Sequence, residues 1–198
     1  ERLAVSGAFV SDANPQDRSK LASAMAVAKI NDQSAVAVEV ARMDKDLALT
    51  GPGNAARVEF RHDSALVQAQ AHVSRVERGF DNPSAGLAQG QQEMAARVAV
   101  RIDPETVVKG ELLQSDDLAT QASRKGLQVG IERHLSQHLR GEVSLRHSDV
   151  TAPAATTTTT TSSATPEAGT SVRIKLLGQL PSLDNASVFV EAEQDVQD

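Results

Sequence analysis

Apolar and polar residues alternate with a period of two through most of this chain. The pattern is clear over residues 56–61, 97–102, 139–146 and 172–176. Successive side chains of a β-strand point to opposite faces of a sheet, so this period predicts strands. We expect eleven of them, at residues 2–10, 20–30, 34–43, 54–62, 65–76, 93–102, 106–115, 126–134, 138–147, 171–180 and 186–194. Strands of about nine to twelve residues are long enough to cross a bilayer when tilted.

The connections between the expected strands alternate between short and long. We expect polar turns of a few residues at 31–33, 62–64, 103–105, 135–137 and 181–185, and longer polar loops at 11–19, 44–53, 77–92, 116–125 and 148–170. Alternate connections of a meander emerge at opposite ends of the sheet. One end of the sheet therefore carries the short turns (the short-turn end), and the other end carries the long loops (the long-loop end). Outer-membrane barrels share this asymmetry.

These patterns predict an all-β fold, an antiparallel up-and-down meander of eleven to twelve strands that forms a transmembrane β-barrel or part of one. We expect a single β-barrel region over residues 1–198. Within it, residues 150–170 are expected to be a disordered loop, because its Thr-rich tract has little to bury. Residues 118–125 are the one segment where a short helix fits the sequence.

The alternation separates the side chains into two faces. One, the apolar face, carries aliphatic residues, alanines and phenylalanines, for example Val58, Phe60 and Val129. The other, the polar face, carries charges of both signs and would line the lumen of a barrel. Its fifteen candidate lumen-lining residues are Arg57, Glu59, Arg61, Arg97, Arg101, Lys109, Glu111, Glu132, Arg140, Glu142, Arg146, Arg173, Lys175, Glu191 and Glu193. We expect Arg57/Glu59 and Arg140/Glu142 to form ion pairs across neighbouring strands.

The number of strands bears on which face points inward. A barrel of about eight strands can fill its interior with side chains, but eleven or more strands would enclose an empty apolar lumen. The inverted arrangement avoids this, because the apolar face then meets lipid and the charged face lines a wet or plugged interior. The alternative is a soluble β-sandwich, in which two sheets bury their apolar faces against each other. Many of the apolar residues are alanines, whose burial contributes little, so we favour the membrane arrangement.

Composition narrows the classes of function. The formal net charge is −6, with acids and bases mixed along the chain, which argues against nucleic-acid binding. Cysteine is absent, which rules out disulfides and thiolate metal sites. No run of about 18 apolar residues predicts a transmembrane helix. Trp and Tyr are also absent, although membrane barrels usually carry aromatic girdles. The first residues, Glu1–Val5, are neither an initiator Met nor a signal peptide, and we expect a mature product or a piece of a longer chain.

Neither catalytic nor metal-binding chemistry is expected. Residues 62–64 and 147–149 contain the residue types of a hydrolase triad, but adjacent residues cannot fold towards one another as a triad requires. His134 and His138 flank a turn, and two ligands alone make a weak metal site. The acids at 116–117 do not match a calcium-loop spacing. We therefore predict no catalytic, cofactor-binding or metal site and no enzyme activity.

Two hairpins carry a resemblance to a known class of proteins. Residues 55–64 and 126–133, each followed by a second alternating strand, resemble barrel segments of Gram-negative outer-membrane proteins. The likeness is one of pattern over most of the chain, and it is nearest to the barrel region of large multi-repeat surface proteins.

The resemblance implies a non-enzymatic barrel without a cofactor in the bacterial outer membrane, acting as the membrane anchor or pore of a surface protein. Its partner would be the lipid bilayer, and nucleic acid would not be one. Because bacterial barrels have even strand numbers, further segments of the same protein or other copies would complete the barrel. The alternative function is that of a soluble β-sandwich module for binding or adhesion.

Overall fold

The structure, a computed structural model, describes residues 2–12, 18–45, 51–81, 89–151, 168–179 and 186–196. These residues form eleven β-strands in one antiparallel sheet. In chain order the strands are β1 (Leu3–Asp12), β2 (Ser19–Lys29), β3 (Ser34–Lys45), β4 (Gly53–Asp63), β5 (Val67–Val76), β6 (Gln91–Arg101), β7 (Thr106–Asp117), β8 (Ser123–Ser136), β9 (Leu139–Thr151), β10 (Gly169–Gln179) and β11 (Ser187–Asp195). All eleven predicted strands are present, with ends within about four residues of the expected positions.

Each strand pairs with its neighbours in sequence, so the strand order from β1 to β11 is the chain order. The predicted all-β, antiparallel up-and-down meander is confirmed. The sheet is open, because β1 pairs only with β2 and β11 only with β10 among the described strands. This agrees with part of a barrel. The described residues contain no helix that could span a membrane.

The prediction of a long loop or short helix around residues 118–125 is wrong. The connection is a tight turn of residues 118–122, and β8 already begins at Ser123. The Asp117 carboxylate accepts hydrogen bonds from the amides of Ala119 and Thr120, at 2.7 and 2.8 Å. Gln121 takes a left-handed backbone conformation with a φ of 59° and donates its amide to the Asp117 carbonyl. Local polar side chains therefore close the turn early, and the polar residues on either side belong to strands.

Several predicted connections lie partly or wholly outside the described residues. Of the expected disordered loop 150–170, residues 150–151 end β9 and residues 169–170 begin β10, so these ends are ordered strand. The Thr-rich residues 152–167 and the expected turn 181–185 are not among the described residues.

The strands are staggered progressively in one direction across the sheet. A ladder of directly paired residues begins at Leu3, the first residue of β1, and passes through Phe60 and Leu112 to Thr170 near the start of β10. The Thr170 carbonyl accepts the amide of Val196, just past the end of β11. From β1 to β11 this line of paired residues shifts by about nine residues along the strands, which is roughly 30 Å. The sheet is roughly 48 Å wide, so the shift corresponds to a strand tilt of about 30°. Barrel strands tilt by about 35–45°, so the stagger approaches that of a closed barrel.

Candidate functional site: the polar face of the sheet

All fifteen predicted lining residues lie on one face of the sheet. Directly paired residues share a face, and so do alternate residues along one strand. The pairs Arg97↔Glu111, Glu132↔Glu142 and Lys175↔Glu191 carry this face from strand to strand. The same pairing places Val58 and Val129 together on the opposite, apolar face. The division into an apolar and a polar face is therefore confirmed, while their exposure to lipid or to a lumen stays a prediction.

The polar face is the more enclosed of the two. Ser144 on the polar face is 2% exposed, whereas its neighbours Val143 and Leu145 on the apolar face are 53% and 51% exposed. The side chain of Glu132 is 12% exposed, beside an Ile131 that is 54% exposed. We interpret this difference as curvature of the sheet over β8 and β9, with the charged side chains on its inner side and the apolar ones on its outer side.

The first ion-pair network is on β4. The side chain of Glu59 is 13% exposed and lies between Arg57, at 3.1 Å, and Arg61. Gln70 of β5 donates to the same carboxylate from across the strand pair. The Arg57/Glu59 pair thus forms along one strand, not between neighbouring strands as the sequence suggested. The carboxylate has hydrogen-bond donors on both oxygens, as an enclosed charge requires.

A second network joins β7, β8 and β9. Glu132 and Glu142 are directly opposite each other on neighbouring strands, an arrangement that is destabilising on its own. Lys109 lies between them, 2.5 Å from Glu132 and 3.4 Å from Glu142. Arg140 is 3.2 Å from the other oxygen of Glu132. The predicted Arg140/Glu142 pair is therefore replaced by Arg140/Glu132, and two cations compensate two facing acids.

Not every cation of the polar face is neutralised. Arg173 is 2.7 Å from Glu191 across β10 and β11, and both side chains are about one-third exposed. Arg101 and Arg146 have no ion-pair partner in the described part of the chain. Among the fifteen residues, nine are cationic and six are anionic. The inner wall is therefore crossed by ion pairs and also presents free guanidinium groups.

A small apolar cluster covers the long-loop end of the polar face. Met43, Ala55 and Val76 project there from β3, β4 and β5, where strict alternation would place polar residues. Phe80, from the connection between β5 and β6, packs on them and is 2% exposed. These four are the buried apolar residues of the described ranges. The start of this connection, residues 77–81, is thus folded inward against the wall.

Close backbone contact and an ion pair hold this inward-folded segment. Gly53 lies against the backbone of Phe80, and a methyl group at Gly53 would overlap the Phe80 nitrogen. Lys45 of β3 is 2.6 Å from the Asp81 carboxylate. This anchor was not predicted from the sequence. Apolar residues in the polar register near the ends of β3 to β5, with glycines in two neighbouring connections, are the pattern that could have indicated it.

The Lys45–Asp81 pair makes the inward-folded segment sensitive to acid. The hydrogen bond from Lys45 lowers the pKa of Asp81 below its usual value of 3.8. A lowered carboxyl pKa stabilises the folded form above the unfolded pKa, and this contribution is lost as the pH falls through the folded value. We expect hydrogen exchange of the Phe80 amide, corrected for its intrinsic rate, to accelerate severalfold between pH 5 and pH 2. In Asp81→Asn this acceleration should be absent, and an unchanged acceleration there would assign it to another group.

His62 stabilises a turn and does not form a triad. Its Nδ1 is 2.8 Å from the Ser34 hydroxyl, and its Nε2 is 3.2 Å from the Ser64 hydroxyl. Ser64 donates in turn to the Val67 carbonyl, at 2.9 Å. No carboxylate contacts the imidazole among the described residues, so the orienting group of a triad is missing there.

The candidate acidic sites are likewise occupied by structural hydrogen bonds. Asp116 accepts from the Ser123 hydroxyl at 2.6 Å and from Gln114 at 2.9 Å. Within the described ranges no group of three or more His, Asp or Glu side chains could hold a metal ion. The described residues therefore offer a charged surface, which carries ion pairs and unpaired guanidinium groups.

No protein-family model matches this sequence, and no curated protein matches it. A function for the chain therefore rests on the physical character of its two faces.

Proposed function

We propose that this chain is the wall of a transmembrane β-barrel in the outer membrane of a Gram-negative bacterium. It serves as the non-enzymatic membrane anchor or pore of a surface protein. The observation that carries the proposal is an uncovered apolar face on the outer side of a sheet whose charges lie inside. Val40, Val129, Ile131, Leu145 and Ile174 on this face are each about half exposed.

Exposing such an apolar face to water is energetically unfavourable. Soluble monomers rarely expose a contiguous apolar patch larger than about 300–600 Å². Here the patch extends over all eleven strands, and lipid would remove it from water without requiring a second protein layer. The backbone of a closed sheet would also be hydrogen-bonded throughout, as a hydrocarbon environment demands.

The apolar face has the height of a membrane band. On β8 the residues Leu127, Val129 and Ile131 lie between Lys125 and Arg133 on the same face. The eight residue-to-residue steps from Lys125 to Arg133 span roughly 26 Å along the strand. With the tilt of the sheet this is about 22 Å across the membrane, near the band of about 25 Å that barrels present to lipid.

The inner face suits a hydrated interior. Its acids are tied to cations by the networks around Glu59 and Glu132, so the wall is held together by its own charges. Guanidinium groups such as that of Arg146 stay available to water or solutes. An anchor needs only this supporting role, and a pore would use the same residues as its lining.

A soluble β-sandwich is the alternative, and it would need a second sheet over the apolar face. The described strands form one sheet. Among the described residues no contact favours a binding or adhesion role, so we carry the membrane proposal forward.

A single introduced tryptophan tests the proposal directly, because the chain contains neither Trp nor Tyr. Val129→Trp places the ring at the centre of the apolar band, and Gln128→Trp places it on the polar face one residue away. The full chain is refolded with phosphatidylcholine vesicles, with and without brominated acyl chains. We expect Val129→Trp to emit at shorter wavelength and to be quenched by bromine, while Gln128→Trp is quenched much less.

Two other readouts complete the experiment. Heat-modifiable migration on a gel is expected for the folded chain in detergent. Equal lack of quenching at both positions, together with monomeric behaviour in buffer without detergent, would overturn the membrane proposal and favour the sandwich.

A further inference from the structure

The two outer strands of the sheet run in the same direction, and among the described strands each has a free edge. The described residues form an odd number of strands and every pairing is antiparallel, so β1 and β11 are parallel to each other. We propose that the barrel is closed by a partner segment that contributes an odd number of strands, in the simplest case one, antiparallel to both β1 and β11. This inference rests on the proposed function and specifies the partner.

Direction argues against a second copy of the chain as the closing element. Copies inserted in one membrane share one orientation, so all their free edges run the same way. Joining β1 of one copy to β11 of another would create a parallel pair within an otherwise antiparallel wall. Bacterial barrels close with even strand numbers, so that every pair is antiparallel. The sequence analysis left both other copies and further segments open, and the direction of the edges favours a strand of opposite direction.

The charge of β11 specifies the inner side of the closing strand. The polar face of β11 carries Glu191, Glu193 and Asp195. Every residue of β11 is exposed. Towards β10 these acids face cations and hydroxyls, with Ser171 donating to Glu193 at 2.6 Å. Towards the free edge nothing among the described residues faces them. Opposite charges across a strand pair are stabilising, so the closing strand should carry Lys or Arg on its inner side.

The outer side of the closing strand is specified by its apolar neighbours. On β11, Val188 and Val190 are 52% and 64% exposed, and on β1, Val5 and Phe9 are 71% and 70% exposed. All four are on the apolar face. A strand between β11 and β1 would extend the band only if its alternate residues were apolar. The partner is therefore a strand of about ten residues with apolar residues outside and basic residues inside, which is also the pattern of β10.

The chain itself supplies a probe with this pattern and direction. A copy of residues 169–179 is appended after Asp198 through a copy of the turn 118–122, which joins two strands at the long-loop end. The matched control appends a second extra strand, a copy of residues 187–195, through a copy of 64–66. A charge control replaces Arg173 and Lys175 by Glu in the appended copy alone.

Introduced cysteines report closure, because the chain has no cysteine of its own. Ser6→Cys on β1 is combined with a cysteine at the copied Leu177 or Gln179 in the appended strand, which the stagger of the sheet places beside Ser6 on the polar face, and the proteins are oxidised in vesicles. We expect a disulfide for the twelve-stranded protein. It should be lost in the thirteen-stranded protein and form less completely in the charge control.

Three other outcomes would overturn the inference. If the proteins with twelve and thirteen strands formed the disulfide equally well, closure would not depend on an even strand number. A disulfide between Ser6→Cys and either Ser187→Cys or Phe189→Cys in the unextended chain would show that β1 and β11 close on each other, which leaves the membrane proposal intact. Failure of every variant, including the unextended chain, to enter vesicles would end both proposals together.

Discussion

Replacing Gly53 by alanine should release the inward-folded segment 77–81 from the wall. The added methyl group would overlap the backbone of Gly79 and Phe80, and backbone cannot rotate away as a side chain can. The segment must therefore lift, and Phe80 loses its contacts with Met43 and Val76. Fully burying a Phe side chain contributes about 1.5–3 kcal/mol, which corresponds to roughly a ten- to hundredfold change in the open fraction.

Trypsin cleavage after Arg78 measures this release, since cleavage of a rapidly opening segment follows its open fraction. The matched control is Gly126→Ala, because a methyl group there would meet nothing within 4 Å. Its cleavage rate should equal that of the unchanged chain. Phe80→Ala should accelerate cleavage as much as Gly53→Ala does, and the double variant should add little, because both remove one interaction. Additive effects of the two changes would mean that Gly53 acts elsewhere.

The strands could be predicted from the sequence because their physical cause is local. Alternation decides which side chains of a strand share a face, and short turns such as 103–105 decide where the next strand begins. Both act within a few residues. Residues as far apart as Glu59 and Glu191 were therefore assigned to the correct face from sequence alone.

What the sequence did not predict depends on contacts between distant segments. Arg140 pairs with Glu132 and not with Glu142, because the choice depends on the pairing of β8 with β9 and on the position of Lys109 from β7. The burial of Phe80 depends on a glycine in another connection. Contacts between distant segments do not change the alternation of apolar and polar residues along a strand, so the alternation cannot predict them. The closing partner of β1 and β11 belongs to the same class, since its identity lies outside both strands.

Replacing Val129 by arginine should prevent stable insertion, whereas the same change at the adjacent Gln128 should not. Val129 is the middle residue of the apolar band of β8, and an arginine facing lipid at the membrane midplane costs about 2–4 kcal/mol. Gln128 lies on the polar face directly opposite Glu111 and Arg146, so an arginine there gains one attraction and meets one repulsion.

The two variants have the same composition and net charge, and they differ in which face receives the arginine. The free energy of unfolding from vesicles, measured by urea titration, should fall by about 2–4 kcal/mol for Val129→Arg and stay within about 0.5 kcal/mol for Gln128→Arg. If the polar face were directed to lipid, the order of the two variants would reverse. If neither face met lipid, the stability of both proteins would be independent of vesicles. The sign of the difference between two adjacent positions therefore reports the orientation of the whole wall.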